Sequence, residues 1–596
     1  MVFLPSASTP PLPVGLPGLK LFSGRLIAGC AEIPDSITVE EFINNPRYGR
    51  YPVAESRHPY TCGITGLSRS VAQVAQRTDL LARAIAKQLG FHPHRGTEWD
   101  RVVCLYSVNT IDYVPFTHAI HRLSGIVTPA SAAYSHQELE HQLRLSGSQA
   151  LFTCVPLLDK ALKAADAVGI PRDRVFLLPL PLSPSDSRFK TLDQLVEEGR
   201  SLPPLPPLKW VKGQGARQTA YLCFSSGTSG LPKAVMVSHF NIIANILQLS
   251  TCDSVSRKQL GIETQVNLGV LPFSHIYGLT IVCLLSHFRG DQVIVLPKFD
   301  PDTFLNAVQQ HKVEQLSVVP PMLIYITTNK HKVSRYDLSS VRWVLCGAAP
   351  LGREVVQDVL RLYPNWRVGQ GYGMTECSPG VATSLETDIL PESSGPLLPG
   401  TKAKIIDSAG NEVTAIDTPG ELLVQSPAVA IGFLHNEKAT AETFVWHSDG
   451  RWLRTGDEVV VRKSPGGPEH LVITDRIKEP IKVKGHQVAP AELEAHLLSH
   501  PYVSDCAVIP VLDHRAGEVP KAYVARSPES KHLSDEEVIV AISNHVQDHK
   551  AKHKWLRGGV EFIDVVPKSP SGKILRRLLK EREKERRRRN EAGSRL

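Results

Sequence analysis

No CxxC pair and no Cys/His group at metal-binding sequence spacing occurs in this chain; its ten cysteines stand singly from Cys30 to Cys506. That excludes a disulfide framework and a zinc module written in sequence, and it reads the cysteines as reduced, mostly buried small hydrophobes. No stretch offers the roughly 20 uninterrupted apolar residues of a spanning helix. The first residues, MVFLPSASTPPLPVGLPG, lack a basic n-region and are broken by prolines, so neither a signal peptide nor stable membrane insertion is expected. There is no internal repeat. Net positive charge is scarce outside one place: the net charge is +8, and residues 573–596 hold eleven Lys/Arg against four Glu. The body is left near neutrality, which argues against a nucleic-acid-binding face.

What is present suits a large globular protein. With 596 residues, 42% hydrophobic and 21% charged, the chain is too long for one core, and two or more domains are expected. Apolar β-branched runs at 102–106, 150–153, 175–178, 293–296, 316–319 and 341–345 alternate with helical patterns such as 71–89. That alternation implies parallel strands covered by helices, an α/β layered fold. The Pro-rich segment 178–207 reads as a surface insertion. After Gly400 short alternating strands (KAKIID, GELLVQ, LVIT) indicate a more antiparallel subdomain. Beyond the polar DRIK at 475–478, a helical APAELEAHLL and strand-like CAVIPV and AYVAR indicate an α+β module.

One loop carries chemistry. Residues 225–234 read SSGTSGLPKA, entered from the apolar run 221–224. Glycines admit close backbone N–H groups, Ser225, Ser226, Thr228 and Ser229 add hydroxyls, and Lys233 adds a point charge, a composition suited to polyphosphate. The lysine follows Gly230 by three residues with no Ser/Thr after it, so this is not the common phosphate loop. A plain flexible Ser/Gly turn has the same composition. Further segments follow in order: LPFSHIYGL (271–279), GAAPL (347–351), QGYGMTE (370–376), GELLV (420–424), WLRTGD (452–457), DRIKEPIKVKGHQVAPAELE (475–494) and PKSPSGK (567–573).

Together these resemble the adenylate-forming superfamily of acyl-CoA synthetases, peptide-synthetase adenylation domains and luciferase. The wording of the long block, HIY and GAAPLG are most similar to the 4-coumarate:CoA ligase branch. The resemblance implies a large multi-subdomain N-terminal domain, 1–475, and a smaller mobile lid, 476–596, hinged at Lys478. It also implies ATP, Mg²⁺ and coenzyme A as reactants: a carboxylic acid is activated as acyl-AMP with loss of pyrophosphate and then passed to the CoA thiol.

The same resemblance implies roles for residues. Lys573 would stabilise charge at the α-phosphate, where it builds as the new P–O bond forms; the bland reading is the start of a solvated basic stretch. Glu376, with Thr228, would hold Mg²⁺, although a lone glutamate after a strand is more often a surface charge. Ser225, Ser226, Gly227, Thr228, Ser229, Gly230, Lys233, Ala348, Gln370, Gly371, Tyr372, Gly373, Thr375, Asp457, Arg476 and Gln487 complete the nucleotide site. Tyr372 would cover adenine opposite Ala348-Ala349, and Asp457 and Arg476 would take the ribose. His275 is expected to position and gate rather than act as a base. After lid rotation Lys482 would serve thioester formation, with Lys484 and Gly485 beside CoA; exposed strand lysines would look the same. Tyr277, Gly347, Gly373, Pro379 and Val381 would line an acyl pocket roomy enough for an aryl ring or a medium-length chain.

Departures from the family pattern are Ser426 for glycine, Phe433 for tyrosine and Pro480 for an apolar residue. No carrier-protein motif follows Lys573. An adenylating enzyme with another acceptor, a carrier protein or oxygen, and a silent acyl-nucleotide-binding protein stay open beside the ligase. The chain ends Ser594-Arg595-Leu596, a variant of the SKL address that a peroxisomal import receptor reads. The preceding LRRLLKEREKERRRRN is expected as a charged, solvated helix or stalk, with contact to anionic lipid as the competing reading.

Overall fold

The computed structural model describes residues 33–183, 186–225, 232–477, 481–483, 486–513, 516–569 and 572–593, and the short strands Val2–Phe3, Leu19–Phe22 and Arg25–Ala28. At 482, 486, 487, 587 and 589–593, as in the first 32 residues, the backbone alone is described.

Two parallel-centred sheets carry the large domain. In the first, Val175–Leu177, Ala150–Thr153, Val102–Tyr106, Ile126–Ala130 and Thr219–Ser225 run parallel, and Lys233–Ser238 and Gly432–Phe433 continue it antiparallel. In the second, Tyr60–Cys62, Gln292–Val295, Val266–Gly269, Gln315–Val318, Trp343–Cys346 and Arg367–Gly373 are parallel between antiparallel edges Ser68–Arg69 and Gly380–Thr383. Val102–Tyr106 and Ala150–Thr153 are buried throughout, which is why they read as apolar runs. An antiparallel sheet of Lys402–Ile406, Gly420–Gln425, Phe444–His447, Gly450–Lys463 and Glu469–Arg476 follows, edged by Val2–Phe3.

The covering helices start and stop where their caps dictate. Val71–Leu89 opens on a Ser70/Gln73 capping box and ends at Gly90 in the left-handed region. Within 178–207, read above as a surface insertion, lies the amphipathic helix Leu192–Arg200, which buries Leu192, Leu195, Val196 and Gly199. It packs on Val71–Leu89 so tightly that a Cβ on Gly199 would stand 2.2 Å from the Leu80 carbonyl oxygen. The segment is therefore part of the helical layer.

Residues from Ile481 onward form a second, separate core. Ile481–Val483, His486–Val488, Val503–Asp513, Gly517–Arg526 and Val560–Phe562 make one sheet, with Leu493, Leu497, Ile542, Val546 and Leu579 packed over it. The basic tail is the charged helix expected above, Arg576–Gly593, and not a free stalk: one face of it is docked. Leu579 is buried, Arg576 pairs with Glu494 at 2.6 Å, and Glu583 takes a 2.6 Å ion pair from the buried Lys521. An apolar residue and two ion pairs outweigh the pull of solvent on that helix face. Among the described residues no helix is long and apolar enough to cross a membrane, and all nine described cysteines are buried and unbridged.

Candidate active site

A cleft of 1280 Å³ opens where the two sheets of the large domain, the antiparallel sheet and the C-terminal module meet. Its walls bring together Ser225, Lys233, His275, Tyr277, Gly347, Ala348, Gly371, Tyr372, Gly373, Thr375, Glu376, Pro379, Asp457, Arg476 and Lys573, residues far apart in sequence.

On the side expected to take phosphate, Ser225 ends one strand and Lys233 begins the next, and the two are register partners. The loop between them, with Ser226, Gly227, Thr228, Ser229 and Gly230, lies outside the described residues, as do Lys478, Lys484 and Gly485. The ammonium of Lys233 stands 5.0 Å from the centroid of the Phe433 ring. Glu376 faces the Ser225 hydroxyl. Burial raises its carboxyl above the usual value, against a backbone hydrogen bond, the Ser225 hydrogen bond and the charges of Lys573 and Arg476. A desolvated carboxylate beside hydroxyl donors of Ser225 and Thr375 is the hard oxygen environment that suits magnesium.

The side expected to take the nucleoside is built on a strand pair. Asp457 and Arg476 are opposite partners, joined by a 3.2 Å Nε to Oδ1 contact, and the Tyr372 hydroxyl donates to Asp457 Oδ2 at 2.6 Å. Burial, followed by the Asp457 charge, lifts the Tyr372 phenol well above its usual value, so it stays a donor. Ala348 holds φ +67, a left-handed conformation costly for a residue with a Cβ. Gln370 does not line the cleft. It is buried, and its Oε1 accepts from the Leu351 N–H at 2.9 Å, so it braces the GAAPL loop from behind.

At the end expected to take the acyl group, Tyr277 donates its hydroxyl to the Leu345 carbonyl at 3.0 Å, and a Cβ on Gly347 would come 3.1 Å from its ring. Gly373 must lack a side chain, because a Cβ there would lie 2.2 Å from the Pro379 carbonyl oxygen. Val381 does not line the cleft: it is fully buried in the main core, and its neighbours Gly380 and Ala382 face the cavity. Side chains alternate along a strand, which explains the exchange. Leu249, Ile281, Ala382 and Thr383 line the cavity too. Nothing in their local sequence marks them, since they arrive from a buried helix, a π-helical turn and an edge strand.

His275 is held neutral. Burial and then the Lys573 charge push it down to about 4, and its Nδ1 accepts the Tyr277 N–H at 3.3 Å, which leaves the proton on Nε2. Lys573 reaches this place on a closed loop. Ser569 N–H donates to the Lys573 carbonyl at 2.7 Å, Gly572 N–H to the Ser569 carbonyl at 2.8 Å, and Lys573 N–H to Ser569 Oγ at 3.1 Å. Gly572, at φ +83, brings the loop against Val319 of the large domain, where a Cβ would meet the valine at 3.2 Å. Lys482 and Gln487 are opposite partners on the hairpin Ile481–Val483 and His486–Val488; their side chains lie outside the described residues.

Residues 58–434 match the AMP-binding enzyme family and 492–573 the AMP-binding enzyme C-terminal domain. The chain is 41% identical over 586 residues to the acyl-CoA ligase AKT1 of Alternaria alternata, covering 97% of each. It is 39% identical to the acyl-CoA ligase gloD of Glarea lozoyensis, covering 92% of this chain and 96% of that one. Its fold superposes on the anthranilate CoA ligase AuaEII in complex with anthranoyl-AMP, with TM-score 0.76 at 21% identity over 92% and 97% of the two chains.

Proposed function

Because this chain belongs to the AMP-binding enzyme family, we propose that it is an ATP-dependent acid:CoA ligase acting on an aryl or medium-chain carboxylic acid. The observation that carries this is the meeting of Lys573, from the C-terminal module, with Ser225, Lys233 and Glu376 in one cleft.

In the first step a carboxylate oxygen attacks the α-phosphorus, the bond to the bridging oxygen breaks, and pyrophosphate leaves. Lys573 offsets charge on the α-phosphate, and Lys233, held over Phe433, meets the departing phosphates. Glu376, with Thr228, would hold Mg²⁺, which would neutralise phosphate charge, and Thr375 would contact a phosphate oxygen. Tyr372, Asp457 and Arg476 fix the nucleoside. His275, neutral with its proton on Nε2, donates to a carboxylate oxygen and so orients the acid without competing for a proton.

The second step needs the lysine gone. Rotation of the module 476–596 about Lys478 withdraws Lys573 and brings Lys482, Lys484, Gly485 and Gln487 toward the acyl-adenylate. The CoA sulfur attacks the acyl carbon, its proton passes to solvent, and AMP leaves. Ser594-Arg595-Leu596, on the tail, serves as the address for a peroxisomal import receptor.

An acid panel with ATP and magnesium, with and without CoA, tests the reading. Thioester formed only with CoA supports it. Acyl-adenylate that never passes to CoA, or no pyrophosphate with any acid, rejects it.

A further inference from the structure

Four histidines of the C-terminal module, distant in sequence, converge on one face. His496 belongs to the helix Pro490–Leu497, His500 follows it, and His545 and His549 sit one turn apart on Asp535–His549. The rings of His496 and His545 stack at 4.1 Å, and that of His549 stands 5.4 and 5.1 Å from them. One ring nitrogen each of His496, His545 and His549 lies within 4.8 Å of the others. Around a tetrahedral zinc ion with bonds of about 2.0–2.1 Å such nitrogens stand about 3.4 Å apart, a closure that side-chain rotation at a half-exposed surface supplies.

Three features go beyond proximity. Each ring gives one nitrogen to a backbone carbonyl: His496 Nε2 to His545 O at 3.1 Å, His545 Nε2 to His496 O at 3.3 Å, and His549 Nδ1 to His545 O at 2.8 Å. These bonds put the proton on the carbonyl side and leave a lone pair on the other nitrogen, as in metal-bound imidazoles oriented by an outer carbonyl. A fourth imidazole also adjoins the three, the ring of His500 standing 5.1 Å from that of His545. Finally, the groups around the cluster, Lys550, Asp548, Ser499 and Glu354 of the large domain, give no thiolate and no closed carboxylate cage. An all-imidazole set with room for a fourth ligand selects late first-row divalent ions over Mg²⁺ or Ca²⁺.

We propose that His496, His545 and His549 form a binding site for a Zn²⁺-class divalent cation, separate from the nucleotide cleft. The site lies where the module meets the large domain: a Cβ on Gly352 would be 3.4 Å from that of Ala495, and the Glu354 carboxylate acts on His496.

Tag-free full-length protein, kept in excess Mg²⁺, is titrated with Co²⁺ and then Zn²⁺, beside His549→Gln and His496→Gln. One Co²⁺ per chain with the intense visible bands of tetrahedral coordination, displaced by Zn²⁺, is expected, and each variant should bind about tenfold more weakly or worse. Zn²⁺ should raise the melting temperature of the parent and not of the variants, whose metal-free melting matches the parent because both side chains are half-exposed or exposed. Equal Co²⁺ or Zn²⁺ binding by parent and variants, or no binding by the parent, overturns the site.

Discussion

The ammonium of Lys233 lies 5.0 Å from the ring centroid of Phe433, across neighbouring antiparallel strands. Phenylalanine stands here where the family commonly has tyrosine, and the ring face is what the lysine uses. A cation over an aromatic face gains about 0.5–2 kcal/mol. Phe433→Leu should therefore raise KM for ATP several-fold to about tenfold with little change in melting temperature. Steady-state kinetics with pyrophosphate readout checks it; an unchanged KM would show that the lysine is positioned by other groups.

Tyr372, the proposed adenine wall, is tied to Asp457, the proposed ribose acceptor, by a 2.6 Å bond. A hydrogen bond to a charged acceptor contributes about 1.5–3 kcal/mol. Tyr372→Phe should weaken ATP binding by about tenfold or more, measured by calorimetry with an unreactive ATP analogue. Equal affinity would mean that Asp457 is held by Arg476 alone.

On the proposed reading Gly347 and Tyr277 set the depth of the acyl pocket. Gly347→Val places methyl groups beyond a Cβ that already touches the Tyr277 ring at 3.1 Å. The expected result is a switch toward shorter or narrower acids, with kcat/KM for the best substrate down about a hundredfold and ATP binding retained. A proportional loss for all acids would place the glycine's role elsewhere.

Among the described residues, five histidines whose charged form burial disfavours make the fold sensitive to acid. Burial holds His121 and His287 down to about 3 and His275 to about 4, and His118 and His239 well below their usual 6.5. Between pH 6.5 and about 4 the unfolded chain takes up protons that the folded chain refuses, so stability is fully present above that window and falls as pH drops through it. Each group contributes up to about 1.4 kcal/mol per pH unit. Neither ring nitrogen of His118 or His287 has a hydrogen-bond partner among the described residues. His118→Phe should thus flatten the fall in the urea midpoint by about one group's share; an unaltered slope would contradict the assignment.

The central strands were legible because burial on both faces leaves continuous β-branched runs, as at Val102–Tyr106. Part of the cleft lining was legible in QGYGMTE, where Gly373, next to the Pro379 carbonyl, admits no substitute. Strand phase was not: Val381 and Ala382 differ by one position, and only the sheet decides which faces the cleft. Neither Leu192–Arg200 nor the docking of the basic tail was visible, since one depends on the surface of Val71–Leu89 and the other on Lys521, distant in sequence. The histidine cluster escaped for the same reason: His496 and His545 meet through packing, at no recognisable sequence spacing.

The most direct measurement separates the two half-reactions in Lys573→Ala. If one lysine activates the acid and then leaves, the variant should lose acyl-adenylate formation by several orders of magnitude yet convert supplied acyl-adenylate and CoA to thioester at close to the parent rate. Loss of both half-reactions, or of neither, would contradict a module that presents one face for each.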